Sequence, residues 1–280
     1  NKARSELSMA THIDTEIFYI EQGGQKLRVT QYVRNLTSFS STDASVLAES
    51  LVADSGIKKV TTSFLPEIML SMVRNDGQAL LMTYSKEMGM MAYTEVITDG
   101  FINDVAAYYS LYNTQDYTFW AVERNGSYAI ERMRYPCGKV CSPLTTNNIV
   151  HMDGWLSGTV AGLDITGLET LNGKTVGVVI DDAWQVQEYT VANGKITLSK
   201  DFTGASYAVG LLYQGYLETF ENPDNFQGTG LGTDRRWVDL YTRLYNSALP
   251  IVYGKRAPDR TPSSLMGKSE NVRPGLQDIR

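Results

Sequence analysis

Histidine and cysteine are scarce in this 280-residue chain, two of each, and that scarcity closes most catalytic routes. With His12 and His151 as the only imidazoles, a Ser-His-Asp or Cys-His site has few possible bases, and His151 falls in a linker-like stretch. Cys137 and Cys141 form a C-x3-C pair, but zinc needs four ligands and the only nearby additions are His151 and Asp153. Two thiols or one local disulfide is the expected state. Clustered cations are also missing. Arg132, Arg134, Arg235 and Arg236 are too few for a nucleic-acid footprint, and a net charge of −6 argues against wrapping nucleic acid, which needs a basic face. DNA passing nearby is compatible with that charge. No run of about 18 apolar residues occurs, which excludes a spanning helix. The N-terminus, NKARSELSMATHIDTE, has no apolar signal core and no initiating Met, and the C-terminus stops at GLQDIR as strand-like residues resume. Both ends are expected to be cuts from a longer polypeptide.

The remaining chemical motifs each lack a partner. Gly228, Gly230 and Gly232 in QGTGLGT have no buried strand before them, no helix after them and no Lys-Ser/Thr, so a flexible loop is expected rather than a phosphate cradle. The pairs Asp181/Asp182 and Glu218/Glu221 have the residue types of a glycosidase, but spacing alone does not set them across a cleft, and solvated turn acids are expected. Tyr108, Tyr109, Tyr112, Tyr117 and Trp120 are candidates to stack sugars or bases; their strand context favours a place in the core. The expectation is therefore no catalytic residue, no cofactor and no metal.

What the chain has in quantity is strand pattern. Residues 67–134 consist of apolar and aromatic runs separated by turn residues, which predicts six strands in an antiparallel meander. Asn75-Asp76-Gly77 and Asn125-Gly126 read as tight hairpins, because Asn, Asp and Gly accept the positive φ of a type I′ turn. EIFYIEQ (16–22) and KLRVTQYV (26–33) flank Gly23-Gly24, another hairpin. Ser41, Thr42 and Asp43 offer cap oxygens before ASVLAESLV, where Val46, Leu47 and Leu51 can share a face, predicting one helix over 44–52. Residues 135–150, with Pro136, Gly138, Pro143 and Asn147-Asn148, read as a loop and module boundary. Residues 168–213 then predict three or four strands around turns at Asn172-Gly173, Asp181-Asp182 and Asn193-Gly194, closing into a small barrel or sandwich. Residues 218–233 are a polar loop, 235–253 a strand pair, and the proline-bearing tail is irregular.

The run SMVRNDGQALLMTYSKEMGMMAYTEVITDGFINDVAAYY, followed by YTFWAVERNGSYAIERM, resembles the tail nozzle proteins of short-tailed bacteriophages, also called tail tubular protein B or stabilisation proteins. That family shows a D-G turn between strands and a "TDG" turn before the next pair, held here by Asp99 and Gly100. Its "D-x-x-x-LAE-x-L" helix is matched by Asp43, Leu47, Ala48, Glu49 and Leu51, and its "R-x-x-R-L-Y-N-S" return strand by Tyr241, Arg243, Leu244, Tyr245, Asn246 and Ser247. Its "L-x-G-K-T-V-x-V-x-x-D-G" insertion is met at Leu171, Gly173, Lys174, Thr175, Val176, Val178 and Asp181, and departs at Asp182, where the family has Gly. Gly194, Ile196, Thr197, Leu198, Val209, Gly210, Leu211 and Tyr213 continue the match.

Taken with the strand pattern, the likeness gives an all-β fold: propeller-type blades over 1–150, a small barrel or sandwich inserted at 151–217, and return strands with an irregular loop over 218–280. It further implies a virion protein in the phage tail, a hexameric ring docked on the tail adaptor, with a tail fibre or tailspike as a further neighbour. Genome DNA would pass its channel without sequence-specific binding. A carbohydrate-binding or glycan-cleaving β module acting on host polysaccharide is the alternative, resting on the strands and tyrosines alone.

Overall fold

A computed structural model describes residues 10–109, 116–133, 152–181, 183–185, 187–217, 251–252 and 255–256. Strands take 56% of these residues and there is one short α-helix, so the chain is all-β as expected. All the ladders are antiparallel.

Three meanders come first. The first has β1 (Thr11–Ile13), β2 (Glu16–Ile20), β3 (Leu27–Val33) and β4 (Ser38–Asp43) in sequence order. The second has β5 (Ile57–Ser63), β6 (Met69–Arg74), β7 (Ala79–Ser85) and β8 (Met90–Val96), and the third has β9 (Phe101–Tyr108), β10 (Tyr117–Arg124) and β11 (Ser127–Met133). Residues 67–134 thus hold the six expected strands, divided between two sheets. The Asp99-Gly100 segment is where the chain leaves one sheet for the next, since β8 and β9 do not pair.

The sheets pack face to face, and the middle one is covered on both sides. Leu70, Met72, Leu80 and Met82 meet Phe18 and Leu27 of the first sheet. Val73, Ala79 and Leu81 meet Ile102, Val105, Trp120 and Val122 of the third. Burial on both faces is why β6 and β7 read as continuous apolar runs, whereas β10, covered on one face, alternates strictly. Each fully buried Leu or Met there contributes about 1.5–3 kcal/mol of transfer free energy.

The turns divide by geometry. Asn125 and Gly126 both have positive φ, 50° and 74°, as a type I′ hairpin requires. In the Asn75-Asp76-Gly77 turn only Gly77 does, at 80°, and Arg74 N–H donates to Gln78 O at 2.9 Å. That is a type I turn closed by a left-handed glycine, not the expected type I′. A Cβ at Gly77 would also run into the Phe101 ring.

The helix is shorter than predicted and shows a different face. A 3-10 turn (Val46–Ala48) leads into α1 (Glu49–Ala53). Asp43 Oδ1 accepts from Ser45 N–H at 2.9 Å and Ser45 Oγ–H at 2.7 Å, which turns the chain so that Ala44, Ala48 and Val52 are buried. Val46 and Leu47 are left 64% and 82% exposed, so of the face expected from Val46, Leu47 and Leu51 only Leu51 packs against the core. Ser41 and Thr42 belong to β4 rather than to a cap.

A smaller module follows. β12 (Asp153–Thr159), β14 (Thr175–Ile180), β15 (Ala183–Trp184), β16 (Tyr189–Thr190) and β18 (Ser206–Leu211) form one sheet, in which β18 lies between β12 and β14. β13 (Asp164–Thr166) pairs β17 (Lys195–Thr197) beside it. The strand set therefore starts at β12, ahead of the expected residue 168. Its core, including Leu168, Val176, Val178, Ile196 and Val209, is its own. Asn193 and Gly194 both have positive φ at their predicted turn, as does Asp181, while Asp182 lies outside the described residues.

By internal contacts, residues up to Gly215 form one compact unit and Tyr216–Arg280 a second. In the second, β19 (Ile251–Val252) pairs β20 (Lys255–Arg256). The predicted loops at 135–150 and 218–233 lie outside the described residues, as do the predicted strand pair over 235–253 apart from 251–252 and the tail apart from 255–256, where β20 replaces the irregular chain expected. No helix among those described is long and apolar enough to cross a membrane.

Candidate functional site

Three places gather side chains of chemical interest: the outer face of the third meander, the junction between that meander and the small module, and the seam between the first two sheets.

On the outer face, strand alternation sorts the aromatic candidates. Trp120 points inward with Val122 and is core. Tyr108 and Tyr117, opposite each other in the β9-β10 register, point the other way. Arg132, opposite Phe119, lies with its guanidinium carbon 4.9 Å from the Tyr117 ring centroid, a cation-π contact. Tyr128 and Ile130 extend this face along β11, 76% and 72% exposed. Tyr109 is also exposed, its hydroxyl donating to Thr62 O at 3.0 Å and its ring on Phe64. Placing these tyrosines in the core was thus wrong for Tyr108, which strand alternation turns outward, and for Tyr109, which lies past the end of β9. Tyr112 lies outside the described residues.

At the junction stands Arg124, which no sequence motif flagged and which is 2% exposed. Its Nε and Nη2 donate to the two oxygens of Glu131 at 2.7 and 2.9 Å, a bidentate pair across the β10-β11 ladder. Nη1 donates to Asp99 O at 2.8 Å, and Nη2 also reaches Asp153 Oδ1 at 3.1 Å. Asp153 Oδ2 accepts from Thr98 Oγ–H at 2.5 Å. Burial works against the guanidinium charge, but Glu131 and Asp153 outweigh it and hold the Arg124 pKa above its ordinary value. At the rim, Lys174 Nζ sits 2.7 Å from Asp99 Oδ2. A cleft of 190 Å³ beside these groups is bordered by Ile97, Leu212 and Tyr213. One signal for Arg124 was present: in YTFWAVER it falls in phase with Trp120 and Val122, a cation on the apolar side of the strand.

In the seam, Glu16 is 7% exposed. It accepts from the Tyr84 hydroxyl on one oxygen, and Lys86 Nζ lies 2.8 Å from the other. Burial works to raise its pKa; the Lys86 and Tyr84 donors outweigh that and hold it below its ordinary 4.5. Burial and the Glu16 carboxylate together push Tyr84 up. A cleft of 130 Å³ opens here, bordered by Gln31, Ser40 and Thr42, and Glu16 meets it with both oxygens already engaged.

The other candidates stand apart. His12 is exposed on β1. Asp153, weighed as a metal ligand, is bound to Arg124 and Thr98 instead. Asp181 is an exposed turn acid accepting from Ser206 N–H at 2.8 Å. Cys137, Cys141, His151, Arg134, Arg235, Arg236, Glu218, Glu221, Gly228, Gly230 and Gly232 lie outside the described residues. Among those described, no group of three or more His, Cys, Asp or Glu is arranged to hold a metal ion. No protein-family model matches the chain, and no curated protein matches it.

Proposed function

We propose that this chain is a structural virion protein, a subunit of the ring-shaped tail nozzle of a short-tailed bacteriophage. One observation carries the reading: three antiparallel meanders stack face to face, with their first strands, β1, β5 and β9, in successive contact, within the segment whose motifs resemble nozzle proteins. First strands gathered together and last strands turned outward is how propeller blades are arranged. In this reading the meanders are blades, and β12–β18 is the small barrel or sandwich inserted among them. The subunits close into a hexamer on the tail adaptor, with a tail fibre or tailspike as neighbour, around a channel that retains the genome DNA and then lets it pass. DNA carries about one charge per 1.7 Å of axis, so a wall rich in Lys and Arg would grip it. A subunit of net charge −6 suits a wall that repels DNA weakly instead. No catalytic step belongs to this role.

A second reading, a glycan-binding module, is favoured by the outer face on which Tyr108 and Arg132 are exposed and Tyr117 half-buried beneath the Arg132 guanidinium. Sedimentation of the purified chain with and without the tail adaptor separates the two. A ring mass supports the nozzle. A monomer in both samples that binds host polysaccharide, and loses binding on Tyr117→Ala, supports the glycan module and overturns the nozzle.

A further inference from the structure

We infer that the Arg124–Asp153 contact is a latch that fixes the small module's orientation on the third meander, and that opening it frees the module without unfolding either core. Four observations meet here. First, the buried apolar clusters among the described residues do not bridge the junction: two share the middle sheet, and the third lies wholly within residues 160–211. Second, apolar side chains available at the junction, Ile97, Leu212 and Tyr213, border a 190 Å³ cleft and stay exposed rather than packing together. Third, the hydrogen bonds and ion pairs that cross are Arg124 to Asp153, Thr98 to Asp153 and Lys174 to Asp99, beside an approach of β11 to the 3-10 turn at Glu169–Leu171. Fourth, Gly154, with φ of 55°, brings the start of β12 against the guanidinium, where a Cβ would lie 3.1 Å from Arg124 Nε.

The donors are divided so that the latch is separable. Arg124 keeps its bidentate pair with Glu131 and its bond to Asp99 O whether or not Asp153 is present, so the third meander does not depend on the module for its buried charge. Asp153, by contrast, holds the first residue of β12 on Arg124 and Thr98. A buried charged contact of this kind offsets much of its own desolvation cost and adds little net stability, but it is directional, so it selects one orientation. The rim pair of Lys174 and Asp99 is exposed and screened by salt, and acts as a weaker second point.

Hydrogen exchange of the full chain tests this. In Asp153→Asn, amides at 97–100 and 153–156 should exchange about tenfold faster, the scale set by losing a charge-assisted hydrogen bond, while amides of β6, β7, β14 and β18 keep their wild-type rates. Thr98→Val should give the same pattern more weakly, and it carries the test if the Asn variant does not fold. Unchanged rates at the junction would show that the contact holds nothing. Acceleration in β14 and β18 equal to that at the junction would show one cooperative core. Either result overturns the proposal.

Discussion

The meander stack and the small module solve the same problem, burying strands, in different ways. The stack gains its core by sandwiching one sheet between two others, so Leu70, Met72, Leu80 and Met82 on one face and Val73, Ala79 and Leu81 on the other are shared property. The module closes on itself around Leu168, Val176 and Val209, and its outer strand β12 is largely exposed. Where the two meet, no buried apolar cluster is shared, and Arg124, Thr98 and Asp153 join them by hydrogen bonds. The difference teaches that apolar burial sets what folds as a unit, and that a few directional polar contacts set how units are oriented.

The comparison breaks most sharply at Phe18, fully buried between the first two sheets and edge-on to Tyr84 at 5.3 Å. Phe18→Ala should cost the stack about 3–5 kcal/mol, read by denaturant unfolding, and leave the exchange of β14 and β18 amides unchanged. The converse, Leu168→Ala, should cost the module about 2–4 kcal/mol with β6 and β7 unmoved. Equal losses in both regions from either variant would merge them into one core.

Glu16 sharpens the picture within the stack. Its folded pKa lies below 4.5, so its contribution is present above that value and lost as pH falls through the folded value. Glu16→Gln should cost about 1–2 kcal/mol at neutral pH and make stability less steep in acid below that point, measured by urea unfolding across pH. The smallest effect is expected on the outer face: Tyr128→Ser with Ile130→Ser should change stability by less than about 0.5 kcal/mol. In a nozzle, whose blades need neighbours, the same pair should weaken assembly.

Local geometry was the legible part of the sequence. Asn125-Gly126 and Asn193-Gly194 fixed two turns because both residues of each pair accept positive φ, and the six strands of 67–134 followed from their apolar runs. Partnership was less legible. Nothing local tells that the Asp99-Gly100 turn hands the chain to a new sheet, since that depends on what β8 and β9 pack against. β12, DGWLSGT, lacked apolar alternation because it is an edge strand with little burial on either side. The helix face was misread because the Asp43–Ser45 hydrogen bonds, not the Leu spacing, set its phase. Arg124 went unflagged because its partners arrive from β11, the β8-β9 connection and β12, segments brought together only by the tertiary fold.

The central claim, that this chain is a propeller-bearing subunit of a phage tail nozzle, is tested most directly by electron microscopy of the full chain assembled with its tail adaptor. The account predicts a closed hexameric ring around an axial channel, each subunit carrying the three stacked meanders as blades and a wall not dominated by Lys and Arg. A monomer off the axis, or a channel lined mainly by Lys and Arg, would contradict it.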